Sequence, residues 1–386
     1  MTPAARVQAA IELLDAILSG IPAEKALTGW ARKSRFAGSK DRVAIRDHVF
    51  HALRCRRSFA VRGGGLTGRG LMIGAQRAAG DDPDAMFTGA RYAPAPLSED
   101  EREPGEPDAR DRMDLPDWLI DRFEASLGDK ALPTALALRD RAPVMVRVHL
   151  GKTTRDGAIA ALAGEGIVAH PDPAAASALR IAEGARRLAS SSVYRSGLVE
   201  LQDGSSQAAM ERLALASGAK VLDYCAGGGG KLLALAARAQ GRWFAHDADA
   251  QRMADLPVRA ARAGVAVRIL DGRELGGAGP FDLVLCDAPC SGSGTWRRAP
   301  DMKWRLTPAR LAELIEVQAR VLDEGARLVA EAGRLAYATC SVLHEENEAQ
   351  VAAFLARHPA WHCEGRHVWP VSAHGDGFHL SILTRK

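Results

Sequence analysis

Aromatic side chains make up only 5% of the 386 residues, no two cysteines form a CxxC pair, no apolar run is long enough for a bilayer, and the formal net charge is +4. Each shortage excludes something. Few aromatics limit the largest core side chains, but a hydrophobic content of 47% lies in the globular range and excludes global disorder. The cysteines, at 55, 225, 286, 290, 340 and 363, have no regular spacing, so they read as reduced thiols of a cytoplasmic protein, not as a disulfide frame or a metal cage. Arg6, Glu12 and Asp15 interrupt the first residues, which the apolar core of a signal peptide would not tolerate. So small a net charge does not by itself announce a nucleic-acid partner, and the distribution of charge says more.

The length favours two or three domains. Val7, Ala10, Ile11, Leu14 and Leu18 recur at helical spacing, and Ile45, Val49, Ala52 and Leu53 predict a second helix over Asp41 to Arg54. Between Trp30 and Gly70 basic residues greatly outnumber Asp41 and Asp47, which points to phosphate contact. Ser98 to Asp117 reverses the sign, with Glu99, Glu101, Glu106 and Asp108 among prolines, and reads as a polar linker. Strand-like Val144 to Leu150, a helix at Ala158 to Leu162 and a short strand at Leu179 to Ile181 make a small α+β module, and Ala208 to Ala216 reads as a helix. From Lys220 strands alternate with helices, the pattern of a doubly wound, mostly parallel α/β sheet. The expected division is a helical domain over 1–138, the α+β module over 139–207 and the α/β domain over 208–386.

Chemistry gathers at the predicted strand ends. VLDYC runs into four glycines, Gly227 to Gly230, and Lys231; Asp247 and Asp271 close the next two strands. Glycines let a backbone approach a ligand closely, and a strand-end carboxylate can hold a ribose diol, which suits a nucleoside cofactor. The pattern is neither GxGxxG nor a Walker sequence, so NAD and ATP fit poorly. FDLVLC then leads into Asp287-Ala-Pro-Cys290-Ser-Gly-Ser-Gly, and YAT leads into Cys340. A lone cysteine is most often a small buried side chain. Two thiols at neighbouring strand ends, however, share one crevice and suggest covalent catalysis. They are too few for zinc, so no metal is expected.

DYCAGGGGK, Asp247, Asp271, DAPCSGSGTWRRAPDMKW and YATCSVLHEENEAQV together resemble the RsmB-type (Sun family) RNA (cytosine-5)-methyltransferases, which use S-adenosylmethionine. The lead-in LVELQDGSSQ and GDGFH near the end add to the likeness, which covers Leu115 onwards. The first hundred residues are only loosely similar to the NusB-like RNA-binding domain of that branch. The resemblance implies a Rossmann-like class I methyltransferase domain preceded by a ferredoxin/RRM-like module and a helical NusB-like domain. It makes Cys340 the nucleophile toward C6 of cytosine, Cys290 the releasing group, and Asp287 the contact to ring N3, for which Asp287 must carry a proton. Cys225, Ala226, Gly227, Gly228, Gly229, Gly230 and Lys231 would line the methionine end of the cofactor, Asp247 the ribose, Asp271 the adenine amino group, with Asp287 also in the cofactor site. The implied partner is RNA, ribosomal above all, with no membrane; Arg297, Arg298 and Lys303 join the basic helices as expected phosphate contacts.

Departures from the family pattern are local. Where the family writes CAAPGGKT this chain has CAGGGGKL, a looser backbone. Arg147-Val148-His149 replaces the usual RVN, and His379 replaces an aromatic. Methylation of transfer RNA, and an RNA-binding assembly factor without turnover, stay open beside the ribosomal reading.

Overall fold

The computed structural model describes residues 1–386 and divides into two compact units, Met1–Arg141 with Trp296–Leu306, and Ala142–Thr295 with Thr307–Lys386. The first unit therefore claims a segment from the middle of the methyltransferase-like sequence. No helix is long and apolar enough to cross a membrane.

Helices Pro3–Leu18, Ala23–Lys33, Ser39–Arg54, Arg56–Arg62 and Gly68–Ala79 build the first unit. Thr2 caps the first of them, accepting from Ala5 N, and a proline follows at the first turn, where its missing N–H costs nothing. Val7, Leu14, Ile45, Leu53, Phe59 and Leu71 form the core. Gly74 is required there: a Cβ on it would stand 2.0 Å from Phe59 O, so the last two helices meet backbone to backbone.

The acidic stretch is not a free linker. Glu101 pairs with Arg69 at 2.6 Å, Glu106 with Arg62 at 3.1 Å and Asp111 with Arg57 at 3.1 Å, so it neutralises much of the basic excess. Arg32, Lys33, Arg35 and Lys40 are exposed and have no carboxylate partner. The inserted segment corrects a second expectation. Trp296 stacks on Phe123 at 5.9 Å, Arg54 Nε donates to Arg297 O at 2.7 Å, Lys303 Nζ to Arg54 O at 2.8 Å and Trp304 Nε1 to Leu53 O at 2.7 Å. Arg297 and Lys303, 3% and 1% exposed, thus face the interior of this unit and are not phosphate contacts; Arg298 is exposed. Burial pulls Lys303 down to about 8.

In the second unit, β1 (Val144–Val148), β2 (Val168–Pro171), β3 (Ala178–Glu183) and β4 (Val199–Leu201) form an antiparallel sheet in the order β2-β3-β1-β4, with a helix at Arg155–Gly164. This is a ferredoxin-like plait. The helix expected at 208–216 is instead Gly204–Glu211, because the Asp203 side chain caps it by accepting from Ser205 N.

The large sheet contains β5 (Ala219–Asp223), β6 (Gly241–Ala245), β7 (Val267–Ile269), β8 (Phe281–Asp287), β9 (Val329–Thr339), β10 (Trp361–Trp369) and β11 (Phe378–Arg385), ordered β10-β11-β9-β8-β5-β6-β7. β7, β6, β5, β8 and β9 run parallel, and β11 and β10 close the edge antiparallel. The order is that of a class I methyltransferase sheet, and it reverses at β5, where such folds bind ligands.

Arg69 hydrogen bonds hold the Glu101 carboxyl down to about 2 from 4.5. A depressed carboxyl contributes stability above its unfolded value and loses it as pH falls through its folded one. Arg69→Ala should therefore cost about 1 kcal/mol near neutrality, with the gap to the parent narrowing from about pH 4.5 towards 2 in denaturant titrations followed by circular dichroism. A gap constant over that range would show that the pair contributes nothing through charge.

Candidate active site

The strand order sets the chemically expected residues in a row. Along β9, β8, β5, β6 and β7 the carboxyl ends carry Cys340, Asp287, Asp223, Asp247 and Asp271.

β5 hands over to the glycine loop. Gly227 and Gly229 adopt φ of +48° and +74°, and a Cβ on Gly229 would stand 2.2 Å from Leu256 Cδ1. Asp247, 5% exposed, accepts from Gly227 N at 3.0 Å and from Asp249 N at 3.0 Å, and pairs with Arg252 at 3.2 Å, tying the loop to the end of β6. Gly228, where the family has proline, is held differently. Arg259 Nη1 donates to Gly228 O at 2.5 Å and lies 2.4 Å from where a Cβ would stand, so its guanidinium fills the space a ring would take. Arg147 of β1 donates to Gly230 O at 3.0 Å, so the change beside it in the RVN motif does not lose this brace.

Asp223 opens the motif DYCAGGGGK without being given a role there, although an acid closing the strand before a glycine loop is a usable signal. It is 1% exposed and its Oδ1 has no hydrogen-bond partner. Burial, with the Asp287 charge beside it, pushes it up to about 7. An orphaned carboxylate oxygen beside a glycine cradle fits a ligand with a cationic head, as the sulfonium and ammonium of S-adenosylmethionine are. Asp271 stands at the far end of the row, exposed, its Oδ1 accepting from Arg273 N at 2.8 Å and Glu274 N at 3.0 Å of its own turn.

On the other side of Asp223, Lys231 Nζ lies 2.6 Å from Asp287 Oδ2. Burial works against the ammonium, but Asp287 outweighs it and the net shift of Lys231 is upward. The sequence places both residues in the site without pairing them. Cys290 Sγ and Cys340 Sγ are 3.5 Å apart. Their shared hydrogen bond, joined by burial, raises the Cys290 thiol well above its usual range. The same bond lowers Cys340, with Lys231 and Thr295 assisting against burial and Asp287. Either sulfur can donate in this contact, and both shifts correspond to Cys290 keeping its proton and Cys340 tending to the thiolate. Burial raises Cys225, which has no such donor and packs against the core.

The thiol loops are also joined by backbone. Gly294 N donates to Cys340 O at 2.9 Å, and Gly377 N to Gly294 O at 3.0 Å, so the GDGFH segment clamps the Pro-Cys loop. His379 of that segment is fully buried, its Nε2 2.9 Å from Ser381 Oγ, and takes no part in the site.

The description "16S rRNA methyltransferase RsmB/F" belongs to the family model that matches residues 210–384, and a ferredoxin-like domain of RsmF/B-like proteins matches residues 115–186. Ribosomal RNA small subunit methyltransferase B of Xanthomonas campestris is 33% identical over 301 residues, 73% of this chain and 69% of that one. The chain belongs to the RsmB/F (Sun) family. The protein of the same name from Cronobacter sakazakii is 33% identical over 285 residues, 70% of this chain, and the match spans 66% of its length. Among solved structures, PH0851 superposes with a TM-score of 0.78 at 24% identity, covering 100% of this chain and 99% of that one. NSun6 from Pyrococcus horikoshii with SFG gives 0.62 at 16% identity, covering 70% and 98%. These structural likenesses concern the fold. The acids and both thiols expected from the sequence stand at neighbouring strand ends here, and Arg259 holds the glycine loop at Gly228.

Alkylation of Cys340 by iodoacetamide, followed by peptide mass spectrometry against pH, should titrate below the ordinary thiol value of 9.0. The groups facing it are Cys290, Lys231, Asp287 and Thr295. Cys290→Ala and Lys231→Ala each remove a group that favours the thiolate, so both should move the midpoint upward. An unmoved midpoint in Cys290→Ala would refute the donor assignment.

Proposed function

We propose that this chain catalyses S-adenosylmethionine-dependent methylation of C5 of a cytosine in RNA, with ribosomal RNA as substrate, through a covalent bond from Cys340 to C6. The observation that carries the reading is the thiol pair at 3.5 Å, set beside the Lys231–Asp287 ion pair at the ends of adjacent parallel strands. Family membership supports the substrate class, since relatives at 33% identity are named as methyltransferases of small-subunit ribosomal RNA.

Cys225 to Lys231 with Asp223 would hold the methionine end of the cofactor, Asp247 the ribose and Asp271 the adenine amino group. The bound cofactor supplies an electrophilic methyl group. That NSun6 is described with SFG, an S-adenosylmethionine analogue, agrees with this assignment.

The protein's part begins with a cytosine splayed from its stack into the crevice. The Cys340 thiolate forms a bond to C6, and the displaced electron pair moves through C5 towards N3. Asp287 must carry a proton to meet the growing charge at N3, and it takes that proton back when the ring is restored at release. C5 is now an enamine carbon and takes the methyl group. Loss of the C5 proton to a solvent base then drives the C6–S bond to break, and the electron pair returns to sulfur. Cys290 S–H is placed to give that departing sulfur the hydrogen bond it gives the free thiolate. Arg32, Lys33, Arg35 and Lys40, exposed and unpaired, are suited to RNA phosphates.

Cys340→Ala should lower methyl transfer to ribosomal RNA by more than about 10³-fold, measured with radiolabelled cofactor. Cys290→Ala should methylate once and retain RNA in an adduct that survives denaturing electrophoresis. Full turnover by Cys340→Ala would sink the nucleophile assignment, and mapping 5-methylcytosine in ribosomal and transfer RNA with and without the enzyme decides the substrate.

A further inference from the structure

Glu346 lies behind the two thiols and is completely buried, in the short turn His344–Glu346 that follows the Cys340 loop. Its Oε1 accepts from Ser291 N at 2.7 Å and Gln318 Nε2 at 3.0 Å. Its Oε2 accepts from the hydroxyls of Ser291 and Ser341, both at 2.5 Å. Ser291 follows Cys290 in the chain and Ser341 follows Cys340, so one carboxylate grips the neighbours of both thiols. Gln318, from the helix Pro308–Leu328, also donates to Pro289 O at 3.0 Å, just before Cys290. Tyr337 OH donates to Glu346 O at 2.6 Å and fixes the backbone of the turn.

A carboxylate shut away from water persists only if donors replace its hydration. Its two oxygens offer about four acceptor sites, and here four donors fill them. The bonds from Ser291 cross from the Pro-Cys loop and that from Ser341 stays within the Cys340 loop, so the carboxylate ties one loop to the other. Among the groups that raise the Cys290 thiol, Glu346 comes after Cys340 and burial. The sequence places it in the motif YATCSVLHEENEAQV but gives it no task.

We propose that Glu346 is a positioning residue for adduct release: by gripping Ser291 and Ser341 it keeps Cys290 within reach of the Cys340 sulfur while that sulfur carries RNA. The inference rests on the reading of Cys340 as nucleophile and Cys290 as releasing group. Bond formation at C6 keeps the thiolate support of Lys231 and Thr295 when Cys290 shifts, whereas release needs the two loops in register. Removal of Glu346 therefore acts on release more than on methyl transfer, and a displacement of about 1 Å is enough to cost about 10²-fold.

The test uses the full chain with ribosomal RNA and S-adenosylmethionine, single-turnover methyl transfer, adduct retention on denaturing gels, and cofactor titration as a check of folding. Glu346→Ala is expected to accumulate adduct as Cys290→Ala does, with release slowed by about 10²-fold and single-turnover methylation within about threefold of the parent. Glu346→Gln should recover most of the release, because serine hydroxyls can turn to accept from an amide. Should Glu346→Ala fail to fold, Ser341→Ala removes one of the four bonds and should accumulate adduct to a smaller degree. If Cys290→Ala retains RNA and neither Glu346→Ala nor Ser341→Ala does, the positioning role is overturned. A parallel loss of methylation and release without adduct marks a merely structural residue and overturns it equally. If Cys290→Ala itself retains no RNA, the two-thiol reading has failed and the inference falls with it.

Discussion

The parallel pairing of β8 with β9 is the constraint from which the site follows. Asp287 stands level with Ala338, and Ala288 N continues the ladder by donating to Ala338 O at 2.9 Å. Two chains that leave a sheet side by side each carry a thiol within a few residues, so a slip of one residue would turn every side chain of the pair to the opposite face. Packing prevents the slip. The helix Pro308–Leu328 lies so close to β8 that a Cβ on Gly325 would stand 2.7 Å from Cys286 Sγ. About two turns earlier on that helix, the same closeness delivers Gln318 to Pro289 and Glu346. A core contact thereby fixes a polar one.

Charge is arranged with less comfort. Asp287, Asp223 and Asp247 close adjacent strands, and Lys231 is bonded to only the first. Asp223 sits beside that pair with an unpartnered oxygen, and burial and its neighbour hold its carboxyl up to about 7. Such an arrangement lowers the stability of the free protein and is relieved by a ligand that brings positive charge, the usual bargain of a functional site. Lys231 serves two of the groups at once: it restrains Asp287 and, by the same charge, favours the thiolate of Cys340. Asp287 and Cys340 are therefore coupled through one ammonium.

The strand ends were legible because an apolar run stopped by an acid or a thiol is a local signal, as in VLDYC, FDLVLCD and YATC. Strand order is not local, and the hairpin of β10 and β11 escapes notice although Trp361 to Trp369 alternates with exposed His362, Glu364 and Arg366 and Gly375-Asp376-Gly377 marks the turn into β11. Charge misleads in the opposite direction. Arg297 and Lys303 read as surface groups because charged residues are seldom fully buried, yet Arg54 and the Leu53 backbone supply an interior lined with partners for this segment. Asp223 and Glu346 are missed for the same reason. Neighbours mostly distant in sequence show that one lacks a partner and the other has four donors.

The extra glycines show how a departure from the family pattern is absorbed. Proline stiffens a loop by narrowing the conformations of the unfolded chain, and Gly228 gives that up. Arg259 restores order from the folded side, bonding Gly228 O while pairing with Glu200 of β4 at 3.4 Å. Glu200 also holds Arg262 at 2.5 Å, and Arg147 of β1 reaches Gly230 O from the same small sheet. Stiffness that a family proline would build into the backbone is here drawn from the ferredoxin-like module, through one buried acid and two arginines. The module is consequently part of the support of the glycine loop: a change in β1 or β4 that shifts Arg147 or Glu200 reaches that loop without touching a residue of its motif.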